Sequence, residues 1–196
     1  MRNPEQTREK ILKKSGLLFN TQGYRSTSIS DITSATGFTK GAIYRHFKSK
    51  EELEKETLFH LSSVMFDALR DRIKAADTAP KKLRAVFRYF ESYITDPPVK
   101  GGCPLLNVAI EADDASPILR RGAIKMLDML RDSLINILDK GIKYKQLTAD
   151  IDKTHYATII IASLEGAIMM SKLRGNDDDI RRVLVHLDKQ VEMIEL

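Results

Sequence analysis

The stretch SISDITSATGFTKGAIYRHF, residues 28–47, carries side chains suited to gripping a polyanion. Thr39 stands where it caps a short helix, leaving further amides at that helix start free to face phosphate. Lys40, Gly41, Ala42, Tyr44 and Arg45 are outward-facing or small, while Ile43 and Phe47 turn back toward a core. Residue types suited to covalent or metal chemistry show no such order. The chain has no nucleophile–base pair, no glycine-rich phosphate loop and no histidines at ligand spacing, so neither an enzyme nor a metal or cofactor protein is expected. Cys103 follows Gly101–Gly102 with no His or Asp at a telling distance. The carboxylates Glu111, Asp113 and Asp114, and those at 177–179, read as helix caps and solvated loops rather than metal ligands.

Elements must hold these residues, and the segment has helix-turn-helix grammar: a short helix, a glycine at the turn, then a second short helix. Ser28 caps the first with Asp31 three residues on, completing a capping box. Ala35 is small where the two helices are expected to cross, and Gly37 permits a positive φ. A longer helix precedes them, from Pro4 to Gln22, with Ile11, Leu12, Ser15, Leu18 and Phe19 inward and Gly23 as its cap. Lys50 lies at the start of a fourth helix with an acidic first turn, where amides already favour phosphate.

Charge supports the same partner. Residues 1–50 hold ten Lys/Arg against three acids, whereas the remaining 146 hold 22 basic and 24 acidic residues. The excess positive charge therefore sits in the first quarter, as in a nucleic-acid-binding end joined to a neutral body. Basic ends also meet anionic lipid, but the longest apolar run, residues 157–164, is too short to span a bilayer. One cysteine excludes an internal disulfide and suits a reducing cytoplasm. A hydrophobic share of 42% with 30% charged residues is that of an ordinary folded protein.

The rest also reads helical, giving an all-α chain of about nine helices. The fourth reaches about Ala76. Pro80 opens a fifth that ends before Asp96–Pro97–Pro98, and a short sixth follows GGCP. Ser116–Pro117 begins a seventh closed by Gly141. Asp150 or Asp152 begins the eighth, ending near Gly175, and the ninth runs from Asp177 to the C-terminus. The eighth is apolar nearly all round and needs two partners.

On residues 7–53, TREKILKKSGLLFNTQGYRSTSISDITSATGFTKGAIYRHFKSKEEL, the chain resembles the DNA-binding domain of the tetracycline-repressor (TetR) family. G-Y-x-x-T-S, the A-x-G-x-x-K-G turn and Y-x-H-F-x-x-K carry the likeness. The resemblance implies a helix-turn-helix domain at 1–48 and a ligand-binding and dimerisation domain at 49–196. It implies phosphate contacts from Thr27, Ser28, Tyr44, His46 and Lys50, and base-edge contacts from Lys40, Gly41, Ala42 and Arg45. Without the flanking motif His46 reads as an ordinary surface histidine; a core aromatic is the alternative for Tyr44, but Ile43 and Phe47 already occupy the inner face.

The last two helices carry apolar stripes, including Leu164, Ile168, Val183, Leu184, Leu187 and Val191, which read as half of a two-fold four-helix interface. A purely intramolecular core is the alternative. The resemblance further implies an inducer cavity within the fourth, fifth, seventh and eighth helices. Phe66, Phe90, Tyr93, Met126, Met129 and Met170, with Phe59 and Phe87 nearby, suit an apolar or aromatic effector. Plain core packing explains any one of them as well. No clustered arginine or lysine on these helices points to a phosphorylated or polyanionic effector. The expected partners are operator DNA, a second copy of the chain and a small molecule, with no membrane. An architectural DNA-binding protein would instead have a filled core.

Overall fold

The computed structural model describes residues 3–112 and 116–196, so Asp113 and Asp114 lie outside the described residues. Regular structure among them consists of α1 (Pro4–Gln22), α2 (Ile29–Thr36), α3 (Lys40–Tyr44), α4 (Lys50–Ala75), α5 (Ala79–Thr95), α6 (Pro104–Ala112), α7 (Pro117–Lys143), α8 (Lys153–Arg174) and α9 (Asp178–Glu192). The chain divides into two compact units, Met1–Met65 with Val99–Met126 and Phe66–Pro98 with Leu127–Leu196.

Side chains define most helix starts. Asn3, Ser28, Thr39, Thr78 and Asp152 each accept a backbone N–H from the first turn of their helix. Each such cap satisfies an amide the helix cannot, worth about 1 kcal/mol. Gly37 ends α2 in the left-handed region at φ 71°, its N–H bonded to Thr33 O. α5 starts one residue before Pro80, which takes its second position. α3 is shorter than expected and stops at Tyr44, leaving Arg45 and His46 in a turn.

The first unit is built around Ile11, Phe19, Ile32, Ile43, Phe47, Leu53 and Val108, each no more than 1% exposed. Truncating a buried phenylalanine such as Phe47 to alanine costs about 3–5 kcal/mol in a close-packed core. Ala35 faces solvent, and Ile32 and Thr36 are the buried residues of α2. The expectation that Ala35 marks a close helix crossing is therefore corrected.

In the second unit α5, α8 and α9 pack on one another. Leu83, Phe87, Ile160, Leu164, Ile168, Ile180, Leu187 and Val191 are buried. Ser171 Oγ accepts the N–H of Ile180 at 3.0 Å and fixes the corner between α8 and α9. α8 is, by length and composition, apolar enough to cross a membrane, but one side of it is the core of this unit. Gly141 does not end α7 as expected. The helix runs on to Lys143, and a Cβ at Gly141 would stand 2.5 Å from Leu147 Cδ1 and 2.7 Å from Ala79 Cβ. Its role is close packing, and the left-handed residue beyond the helix is Lys145, at φ 54°.

Candidate nucleic-acid interface

The N-terminus of α3 is built by short-range bonds. Thr39 Oγ1 accepts from Ala42 N at 3.2 Å, and Phe38 N donates to Thr36 Oγ1 at 3.2 Å, setting the turn that delivers α3. Ile43 is fully buried, which fixes the rotation of the helix. Lys40, Gly41, Tyr44 and Arg45 are consequently exposed and Ala42 half-buried. The Lys40 ammonium lies 5.9 Å from the Tyr44 ring centroid, so the two side chains share one patch. His46 is half-buried in the turn that follows.

At the start of α2, Ser28 N donates to Asp31 Oδ2 at 2.7 Å and Asp31 N donates to Ser28 Oγ at 3.2 Å. The bonds from Ser28 hold the Asp31 carboxyl below its ordinary value. Ser28 is exposed, but Thr27 is fully buried, with its hydroxyl donating to Gly23 O at 2.7 Å. The expected phosphate contact from Thr27 is corrected accordingly, since its side chain is spent inside the turn. Lys50 is half-buried. Its ammonium donates to Tyr24 O at 2.9 Å and pairs with Glu54 at 3.1 Å, which ties α4 to the turn before α2. Burial raises the Glu54 carboxyl while the Lys50 ammonium pulls it down.

Several residues that position this face gave no sequence signal. Asn20 Nδ2 donates to Lys100 O at 3.0 Å and Gly102 O at 2.9 Å, and Asn107 Nδ2 donates to Asn20 Oδ1 at 3.0 Å. These bonds join the end of α1 to α6 through the loop containing Gly101–Gly102. Arg8 lies 5.2 Å from the Phe47 ring centroid and pairs with Glu56 at 2.8 Å. A buried Asn20 and a half-buried Asn107, far apart in sequence, leave no periodic mark; only the paired glycines flag that loop.

The residues assigned to an effector are dispersed. Phe90 and Tyr93 are buried, their ring centroids 6.0 Å apart, and Tyr93 meets Tyr89 hydroxyl to hydroxyl at 3.1 Å. Met126 is buried in the first unit. Phe59, also in the first unit, is exposed between Lys55 and Lys125, each ammonium 5.7 Å from its ring. Met170 is exposed on α8. Phe66 and Met129 both line one cleft, of about 580 Å³, bordered by α4 and α7. Arg70, Lys74 and Lys140 line it as well, so the expectation of no basic cluster on these helices is corrected. Two helices supply these cations, and linear spacing does not reveal the third.

The dimer assignments are corrected in part. Leu164, Ile168, Leu187 and Val191 are buried within the single chain, and Val183 and Leu184 are half-buried. The apolar surface left open on α8 is formed by Ile159, Ala162, Met169, Met170 and Leu173. A Cβ added at Gly166 on the same face would meet nothing within 4 Å.

Two family profiles match the chain. One, described as bacterial regulatory proteins of the tetR family, covers residues 11–57. The other, a tetracyclin repressor-like C-terminal domain, covers residues 79–187. Among curated proteins the chain is similar to the HTH-type transcriptional repressor DhaR of a Mycobacterium species, at 25% identity over 178 residues, 90% of this chain and 88% of that protein. A solved TetR transcriptional regulator from Chloroflexus aurantiacus is 33% identical, with a TM-score of 0.96 and 100% of each chain covered. A second, from Cytophaga hutchinsonii, is 31% identical with a TM-score of 0.92, covering 100% of this chain and 98% of that one.

Proposed function

The chain belongs to the TetR family of DNA-binding transcriptional regulators, and we propose that it is a dimeric repressor released from its operator by a small apolar or aromatic ligand. The observation that carries the DNA half is the rotation of α3. With Ile43 locked in the core, Lys40 and Arg45 stand free to reach base edges while Tyr44 and His46 flank them for phosphate. Gly41 and Ala42 let the backbone come close to the groove, and Ser28 adds a phosphate contact at the start of α2. Residues 1–48 do the reading, and residues 49–196 dimerise and sense the ligand.

Support for the dimer comes from α8. Ile159, Ala162, Gly166, Met169 and Leu173 recur at helical spacing on its open side, with small residues at the centre where a second helix can approach. That face suits the same face of another copy in an isologous pair. Support for the ligand comes from the cleft at Phe66 and Met129, whose flexible and aromatic lining suits a lipophilic guest. α4 is one continuous helix from Lys50 through Phe66, so it links the reading head to that cleft. The ligand must bind the released conformation more tightly, and the loss of operator affinity equals that preference, typically about 1–3 kcal/mol. Its place of work is the cytoplasm, beside the DNA it reads.

The test is selection of binding sites from a random duplex pool. A near-palindrome with half-sites about one helical turn or more apart is expected. Salt-sensitive binding without any sequence preference would overturn the reading.

A further inference from the structure

We propose that the groove between α4 and α7 is a binding site for a free lipophilic carboxylate, with the hydrocarbon part on Phe66, Ile73 and Met129 and the anion on Lys74 and Lys140. Its consequence at the operator rests on the ligand-released repressor reading; the binding itself does not. The groove has a volume of about 580 Å³, within the ordinary range for small-molecule sites. Its floor is apolar and closed, because Phe66, Leu69 and Ile137 are buried. Met129 is 40% exposed beside that floor, a flexible side chain left open to solvent where it can close over an alkyl chain.

The charges select the guest. Arg70 and Lys74 lie four residues apart on one face of α4, and Lys140 joins them from α7. Asp67 pairs with Arg70 at 2.6 Å and neutralises it. Neither Lys74 nor Lys140 has an ion-pair partner among the described residues, and one carboxylate, Asp132, also lines the groove. The balance is one uncompensated positive charge above an apolar floor. A monoanion fills it, whereas a phosphorylated or polyanionic guest would bring surplus negative charge against Asp132. Ser133 and Asn136 add hydrogen-bonding groups beside the lysines. A second cleft of about 140 Å³ shares Ile73, Asn136, Ile137 and Lys140 and reaches Ala79 and Tyr144, giving a longer chain somewhere to run. Charge-assisted hydrogen bonds fix the head group, and buried hydrocarbon supplies the bulk of the affinity.

Calorimetric titration of the full-length protein with decanoate tests this, with 1-decanol as the uncharged equivalent and phosphatidylglycerol vesicles as the membrane arm. Decanoate should bind, decanol should bind at least about tenfold more weakly, and any vesicle binding through the basic N-terminal residues should be the same in parent and lysine variant. In the double variant Lys74→Gln, Lys140→Gln, decanoate affinity should fall about tenfold or more while the melting temperature stays near that of the parent. Absence of decanoate binding, equal binding of decanol, or an unchanged double variant overturns the proposal, and vesicle binding that the double variant abolishes would assign the groove to a membrane instead. Operator release is read separately. Decanoate that binds through both lysines without releasing operator DNA leaves the site standing and removes its regulatory role. A different compound that releases the operator equally from parent and double variant leaves the repressor reading standing and counts against this groove as the sensor.

Discussion

The side-chain carboxylate of Glu111 in α6 accepts the backbone N–H of Arg25 at 3.2 Å, pinning the turn that leads into the reading helices. Gly23 opens that turn at φ 92°, and a Cβ there would stand 2.8 Å from Glu111 Oε1. Glycine and carboxylate are thus fitted to one another, and the DNA-reading helices inherit their starting direction from the fit.

Gly23→Ala should therefore be costly for two separable reasons. With ψ at 155° this φ falls in a region that essentially only glycine adopts, which costs a residue with a Cβ about 1–3 kcal/mol, and the carboxylate must move. Each kcal/mol lowers the melting temperature of a chain this size by about 2–4 °C. Glu111→Ala removes the obstacle together with the bond to Arg25. The double variant should consequently lose less stability than the sum of the two single variants. Simple additivity in thermal melts would show that the carboxylate is not what the new methyl group meets.

Substitutions on α3 should separate reading from gripping. Lys40→Ala and Arg45→Ala should each cost about 1–3 kcal/mol at the selected operator and relax preference at particular base pairs. Tyr44→Phe removes a hydroxyl proposed to meet phosphate, so it should weaken binding to all sequences alike. Fluorescence anisotropy on the operator and on scrambled DNA checks both. Undiminished operator affinity in the Lys40→Ala, Arg45→Ala double variant would remove α3 from the interface.

The imidazole of His60, on α4, gives the first unit a pH dependence. Burial holds its pKa below the ordinary 6.5; Glu9 pulls it up and Lys13 pushes it further down. The fold thus prefers neutral imidazole. Its stabilising contribution is complete above pH 6.5 and is lost as pH falls from 6.5 through the lowered value. Glu54, whose carboxyl is raised by burial, works in the opposite sense, since the fold takes up its proton more readily as pH falls. Melting temperatures at constant ionic strength should drop between pH 7 and pH 5, and part of that drop should vanish in His60→Gln. Parallel pH profiles for parent and variant would exclude His60 as the source.

Local chemistry was the most legible part of the fold. Ser28 with Asp31, Thr39, Asp152, Gly37 and Gly175 mark helix ends through bonds made within a few residues, so the sequence reads them directly. Gly141 misled because a glycine that caps a helix and one that admits a neighbour look alike until the neighbours, Leu147 and Ala79, are known. Thr27 has the chemistry to meet phosphate, yet it is buried with its hydroxyl given to Gly23 O, while Lys50 bonds Tyr24 O and Glu54 and stays partly exposed. Lys74 and Lys140 are 66 positions apart in the chain and share one cleft only because α4 and α7 both border it. In α8, hydrophobicity alone marked Leu164 and Met169 equally. Which of them faces its own chain depends on where α5 and α9 lie.

That division within α8 makes the dimer testable. Leu164 is 1% exposed inside its own chain, so Leu164→Asp buries an unpaired charge and should unfold the protein rather than divide a dimer. Ile159, Met169 and Leu173 are 42%, 44% and 81% exposed, and a charge at any of them costs a single chain little. The pair Ile159→Asp, Met169→Asp should therefore give folded monomers, because two copies meeting through this face would each bury like charges. Gly166→Leu should act the same way by blocking close approach of the second helix, while the open space around Gly166 leaves the single chain undisturbed. Sedimentation gives the mass, far-ultraviolet circular dichroism gives the helix content, and operator binding should weaken as the second reading head is lost. A folded dimer that persists in both the aspartate pair and the Gly166→Leu variant would move the interface off α8.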